Sequence, residues 1–166
     1  MIFVTADTHF GHKAAASFPG RNFKSLKVMH ECMIHNWNSV ISKEDTVYIL
    51  GDFVFGVDIR DLDSVCRALN GRKMLILGNH DKYSMYDYTR CGVIRVYDYP
   101  ILFNNYILLS HEPVLTLGNH GLLNVHGHTH GRDFVQRTNR HYCVCQECHN
   151  MSPIPFSRIY EKVGVL

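Results

Sequence analysis

The chain has 166 residues, with 17 Lys and Arg against 15 Asp and Glu and a net charge of +2 at neutral pH. Hydrophobic residues make up 46%, which argues against disorder, and the length suits a single domain over residues 1–166 with a core of its own. The charge neither indicates nor excludes a nucleic-acid partner.

No apolar run approaches the ~20 residues of a membrane span. The first strand begins at Ile2, which leaves no room for a secretory leader, so no membrane partner is expected. Of the six cysteines, three are scattered singly. All six are read as free thiols of a reducing, cytoplasmic setting rather than as disulfide staples.

The apolar pattern predicts strand, helix, strand, helix, strand, then a strand-rich second half. Ile2–Ala6 reads as the first strand. Residues 25–41 read as a helix capped by Ser25, with Met29, Met33, Trp37 and Val40 on one face. Val47–Leu50 is the second strand. Residues 58–69 form the second helix, with Leu62, Val65, Cys66 and Leu69 inward and Asn70-Gly71 as its stop. Met74–Leu77 is the third strand. Further strands are expected at 93–97, 101–103, 106–110, 122–126 and 140–145, with Asn104-Asn105 as a turn. Neither an internal repeat nor a linker interrupts this order.

Five of the strands run into polar clusters: Asp7-Thr8-His9, Gly51-Asp52, Gly78-Asn79-His80-Asp81, Ser110-His111 and Gly127-His128-Thr129-His130. Each alone has an ordinary reading. An Asp after a strand is a turn former, glycine plus aspartate is turn chemistry, and a lone histidine is often packed in a core or exposed. Side chains two residues apart on an extended backbone point to one side, so D-x-H and H-x-H each offer paired ligands. Five such clusters after five buried strands suggest one sheet edge presenting oxygen and nitrogen ligands to a common point, where two divalent metals could sit.

In these motifs and their order the sequence resembles the calcineurin-like metallophosphoesterases, whose pattern is D-x-H, G-D, G-N-H-D/E, H, G-H-x-H. The contexts T-A-D-T-H-F-G-H, T-V-Y-I-L-G-D-F-V-F-G and L-N-G-R-K-M-L-I-L-G-N-H-D are similar to a small, cap-less bacterial and phage-type branch. The resemblance implies an α/β fold, a four-layer α/β/β/α sandwich of two mixed sheets. It implies Asp7, His9, Asp52 and His130 around one metal, and Asp52, Asn79, His111 and His128 around the other, with Asp52 bridging. The ligands mix imidazole, carboxylate and amide without thiolate, which favours manganese, with iron, zinc, nickel or cobalt as alternatives, over magnesium. The implied reaction is direct hydrolysis of a phosphoester by a hydroxide held between the metals. Asp52 and His80 are the expected catalytic residues, His80 protonating the leaving group or stabilising phosphoryl charge. Many relatives carry a second aspartate, G-D-x-x-D, that orients this histidine; here Phe55 stands in its place.

Other residues are assigned by position. His12, Arg21 and Asn22 are candidates for substrate phosphate. Asp81 and His126 are read as supporting the ligands rather than binding metal. Tyr83, Tyr86 and Tyr88 could stack on a base or simply pack. Cys143, Cys145, Cys148 and His149 could hold a structural zinc, against the alternative of buried free thiols.

The expected activity is therefore a phosphodiesterase or phosphatase acting on a small phosphorylated substrate, such as a nucleotide. Two alternatives stand beside it. One is a nuclease, for which Arg132, Arg137 and Arg140 could form a basic patch. The other is a catalytically silent metal-binding scaffold of the same fold.

Overall fold

The computed structural model describes residues 1–115, 121–133 and 138–163. In chain order its elements are β1 (Ile2–Thr5), α1 (Leu26–Val40), β2 (Thr46–Leu50), α2 (Ile59–Ala68), β3 (Arg72–Ile76), α3 (Met85–Arg90), β4 (Val93–Tyr97), β5 (Ile101–Phe103), β6 (Ile107–Ser110), β7 (Leu123–His126), β8 (His141–Cys143), β9 (Ile154–Pro155) and α4 (Ser157–Val163). Short 3-10 turns occupy Lys13–Ser17 and Gln146–His149.

The strands form two mixed sheets, as expected of this α/β fold. The first has the order β4-β3-β2-β1-β9, parallel except for β9. The second has the order β5-β6-β7-β8, parallel except for β5. Alternation along the strands splits the core in two. Phe3, Val47, Ile49 and Leu75 face the helices, against Met29, Met33, Trp37, Leu62 and Tyr88. Val4, Leu50 and Ile76 face the second sheet, against Ile107, Leu109, Leu123 and Val125.

The helices form where apolar spacing and caps coincide. The Ser25 side chain accepts from the Val28 N–H, and Asp58 accepts from Arg60 and Asp61. Trp37 is buried, and its indole N–H donates to the carbonyl of Asn70. Asn38 fastens α1 to the end of α2, donating to Ala68 O and accepting from Asn70 N. Val40 departs from the expected inward face: it is 41% exposed. It is the last residue of α1, and Ile41, just beyond the helix, takes the buried place. Among the described residues no helix is long and apolar enough to cross a membrane.

In both sheets the parallel strands β1, β2, β3, β6 and β7 deliver their carboxyl ends to the same edge. Ligand sites of open parallel sheets lie outside such ends. Ile49, fully buried in the middle of the first sheet, tests this packing. Ile49→Ala is expected to cost about 2–5 kcal/mol in urea unfolding; a loss well below 1 kcal/mol would contradict the described core.

Candidate metal centre

The five clusters converge at that shared edge. Asp7 and His9 follow β1, Asp52 follows β2, Asn79 and His80 follow β3, His111 follows β6, and His128 and His130 follow β7. The carboxylate of Asp52 lies between two histidines. Its Oδ2 is 3.4 Å from His9 Nε2 and its Oδ1 is 3.6 Å from His111 Nε2. On one side, Asp7 Oδ1 is 3.8 Å from His9 Nε2 and 3.7 Å from His130 Nε2. On the other, Asn79 Oδ1 is 2.9 Å from His111 Nε2 and 3.1 Å from His128 Nδ1.

The ring nitrogens turned away from the centre are mostly held by the protein. His111 Nδ1 lies 2.9 Å from the carbonyl of Leu50, so its N–H donates there and Nε2 keeps a free lone pair. His130 Nδ1 lies 2.6 Å from Glu147 Oε1. His9 Nδ1 is 3.3 Å from His12 Nδ1.

Two atoms show that the cluster is built for something not made of protein. Asp7 Oδ2 accepts from the His128 backbone N–H at 2.8 Å and from the Cys145 thiol at 3.2 Å. Its other oxygen, Oδ1, is buried without a hydrogen-bond partner, and so is His9 Nε2. Buried polar atoms are normally satisfied, and a carboxylate oxygen facing an imidazole lone pair is what a divalent cation would join. Asp7, His9 and His130 place one ligand atom each within 4.8 Å of one another, and so do Asp7, Asp52 and His111. The donor set thus fits metal ions.

Electrostatics agree. Burial would raise the pKa of Asp7, but the nearby imidazoles of His9, His111 and His130 outweigh it, so the carboxyl sits below its ordinary value. Burial would lower His130, but the hydrogen bond to Glu147 and the charge of Asp7 bring it above the ordinary value.

The backbone is strained here. Asp7, His9, Asp52, His128 and His130 all adopt positive φ, between 50° and 65°. Such conformations cost of order 1–3 kcal/mol each in non-glycine residues and persist where the surroundings over-determine them. Two motif glycines are required by close approach. A Cβ on Gly78 would lie 2.3 Å from Asp52 Oδ1, and one on Gly127 would lie 2.4 Å from Asp7 Oδ2.

The remaining residues named from the sequence are placed as follows. His80 stands at the mouth, its side chain 37% exposed and Nε2 4.0 Å from Asp52 Oδ2. The Phe55 ring packs edge-on against it at 5.0 Å and also touches His12. His12 is half-buried beside His9 and His80, and burial holds its pKa below the ordinary value. Asn22 is exposed, whereas the side chain of Arg21 is fully buried and bonded to protein groups. Asp81 accepts from the backbone N–H groups of Phe53 and Gly78 and from the hydroxyl of Tyr88. It thereby ties the loop after β3 to the loop after β2. His126 is buried, with Nδ1 2.8 Å from Gly127 O. Tyr83 donates to Val57 O, and Tyr86 is exposed. The Cys143 sulfur is 3.2 Å from that of Cys145 and 3.8 Å from that of Cys148, while His149 Nε2 is 2.9 Å from Cys143 O. All six cysteines are free thiols. Of the arginines considered as a patch, Arg132 and Arg140 are exposed, and Arg137 lies outside the described residues. Glu147, which holds His130, is absent from the sequence-based set. It follows the ligand by 17 residues, and nothing local marks it.

Residues 1–156 match the family model of calcineurin-like phosphoesterases. An uncharacterised protein of Methanocaldococcus jannaschii is 29% identical over 98% of this chain and 90% of its own length. The gene 66 protein of Mycobacterium phage D29 is 34% identical, over 79% of each chain. Among solved structures, a protein of unknown function from Aquifex aeolicus superposes with a TM-score of 0.74 at 27% identity, covering 97% of this chain and 98% of that one. Pseudomonas putida nuclease MPE gives a TM-score of 0.54 at 22% identity, covering 78% of this chain and 61% of that one, and shares the fold.

Metal binding should register as stability. Adding Mn²⁺ to metal-stripped protein at about 100 times Kd is expected to stabilise it by about 2.7 kcal/mol per site, read as a rise in Tm. Asp7→Asn should lose most of that rise; an unchanged metal increment in this variant would remove Asp7 from the centre.

Proposed function

The chain belongs to the calcineurin-like phosphoesterase family, and from that premise we propose that it is a metal-dependent hydrolase of small phosphodiesters. The observation that carries the reading is the pair of buried, unpartnered atoms, Asp7 Oδ1 and His9 Nε2, inside a ring of seven ligands. Those ligands are Asp7, His9, Asp52, Asn79, His111, His128 and His130. Asp52, with one oxygen toward each half, is the residue suited to bridge two ions. The mixed oxygen and imidazole donors favour a transition metal over magnesium, with manganese proposed first and iron, zinc, nickel or cobalt as alternatives. When bound, two such ions lower the pKa of a water toward neutrality and offset charge developing on the phosphoryl oxygens.

The chain's own groups do the rest. Asp7 and Asp52 supply fixed negative charge, and the His111 and His130 imidazoles facing them are oriented by the Leu50 carbonyl and the Glu147 carboxylate. His80 stands beside Asp52 but faces the opening, where it can reach a leaving oxygen and give it a proton. Phe55 limits how far its ring can swing. His12, next to it, is the second imidazole within reach of substrate.

The shape of the mouth supports a diester. A hollow of about 350 Å³ borders Asn79 and His111 and continues to Tyr99 and Pro113. Another of about 340 Å³ borders His80 and is walled by Phe55, Val57, Lys82 and Tyr83. A phosphodiester has two ester arms, one for each hollow, whereas a monoester would leave one empty.

The test is hydrolysis of bis-p-nitrophenyl phosphate and p-nitrophenyl phosphate by metal-stripped protein with Mn²⁺, Zn²⁺, Ni²⁺ or Mg²⁺ returned singly. Metal-dependent turnover that favours the diester and disappears in Asp52→Asn is expected. Turnover without metal would sink the reading. A nucleic-acid strand cut faster than the small diester would point to a nuclease, and metal binding without turnover to a scaffold. His80→Ala should slow an alkyl diester by about 10²–10⁴-fold. It should slow the nitrophenyl diester far less, because nitrophenolate leaves without needing a proton. Equal losses on both would assign His80 to phosphoryl binding instead.

A further inference from the structure

Behind His130 and the loop after β1 lies a buried ion pair. Arg21 Nε donates to Glu147 Oε1 at 3.1 Å and Nη2 to Oε2 at 3.2 Å. The Arg21 side chain is fully buried and that of Glu147 is 3% exposed. Each partner has a second task. The guanidinium also donates to the carbonyl of Thr8 at 3.2 Å and to the carbonyl of Asp7. The carboxylate also receives the Nδ1–H of His130 at 2.6 Å.

We propose that the Arg21–Glu147 pair is a positioning device for the first metal position alone. The argument rests on the metal-dependent reading above and on which groups the pair reaches. Asp7 and His9 leave β1 in a strained loop, both at positive φ. Arg21 clamps that loop by two of its carbonyls. His130 arrives from β7, more than a hundred residues later, also at positive φ. Glu147 fixes its ring by the far nitrogen, so that Nε2 faces Asp7 Oδ1. One buried salt bridge therefore sets the spacing of ligands from two different sheets. A bidentate Arg–carboxylate pair is planar and rigid, which a lysine could not reproduce. Asn79, His111 and His128, the ligands of the second position, have no contact with it. Of these, His111 is held by Leu50 O, and His128 is tied through its backbone N–H to Asp7 Oδ2, the oxygen that does not face His9 and His130.

Arg21 thus acts on the reaction through Asp7 and His130, not through substrate phosphate. Removing a carboxylate behind a ligating histidine typically weakens metal binding by about 10–100-fold.

The test is a metal titration of Glu147→Gln and wild type by equilibrium dialysis, resolving two affinities for Mn²⁺. Glu147→Gln is expected to weaken one of the two by about tenfold or more and leave the other within about twofold. Arg21→Lys should weaken the same one. Equal weakening of both positions, or of neither, would overturn the proposal while leaving the metal centre standing. Wild-type protein that binds no metal would overturn both. Should the variants not fold, ¹⁵N NMR of the wild-type His130 ring decides. A proton on Nδ1 with and without metal is expected, and a metal-free ring protonated on Nε2 alone would refute the arrangement.

Discussion

The structure depends on the carboxylate of Asp7, buried at the junction of the two sheets with only one of its oxygens satisfied. Oδ2 is fully used by the His128 N–H and the Cys145 thiol. Oδ1 faces His9 and His130 with no donor. Isolated charge of this kind is expensive in a protein interior, and its surroundings are arranged to make it tolerable. Gly127 is glycine because any side chain would strike Asp7 Oδ2. Arg21 holds the Asp7 carbonyl and brings positive charge beneath the loop. The imidazoles of His9, His111 and His130 keep the carboxyl ionised against burial.

This arrangement costs stability and returns function. Five candidate ligands sit at positive φ, and two buried atoms of the cluster, Asp7 Oδ1 and His9 Nε2, lack hydrogen-bond partners. Strain of this kind accumulates where geometry matters more than folding free energy. The compensation lies elsewhere, in two apolar layers on either face of the first sheet and in the contacts that close the loops. Asp81 is one of these. It is buried beneath the loop of His80, where three backbone N–H groups and the Tyr88 hydroxyl surround its carboxylate.

Most of this was legible in the sequence for a simple reason. Each ligand directly follows a run of apolar residues long enough to be a strand, so the positions of the strands and of the chemistry are the same signal. The long helices were legible because Met29, Met33 and Trp37, or Leu62 and Cys66, recur at helical spacing behind a capping residue. The short elements were not. α3 has six residues, too few for a period, although Ser84 and Asp87 form a capping box that could have announced it. β9 has two residues and pairs with a strand 150 positions earlier, which no local pattern encodes. Glu147 and Arg21 were hidden for the same reason: their meaning is mutual, across 126 residues. Arg21 read as a candidate for substrate phosphate because it stands in a loop after Pro19-Gly20, and nothing local announces that its side chain is buried against Glu147.

The most direct measurement is a crystal structure of protein soaked in Mn²⁺, with anomalous diffraction locating the ions. Two peaks roughly 3.5–4 Å apart with an Asp52 oxygen on each, and Asp7, His9 and His130 around one of them, are what this account predicts. A single ion, or two ions with Asp7 Oδ1 still unpartnered, would contradict it.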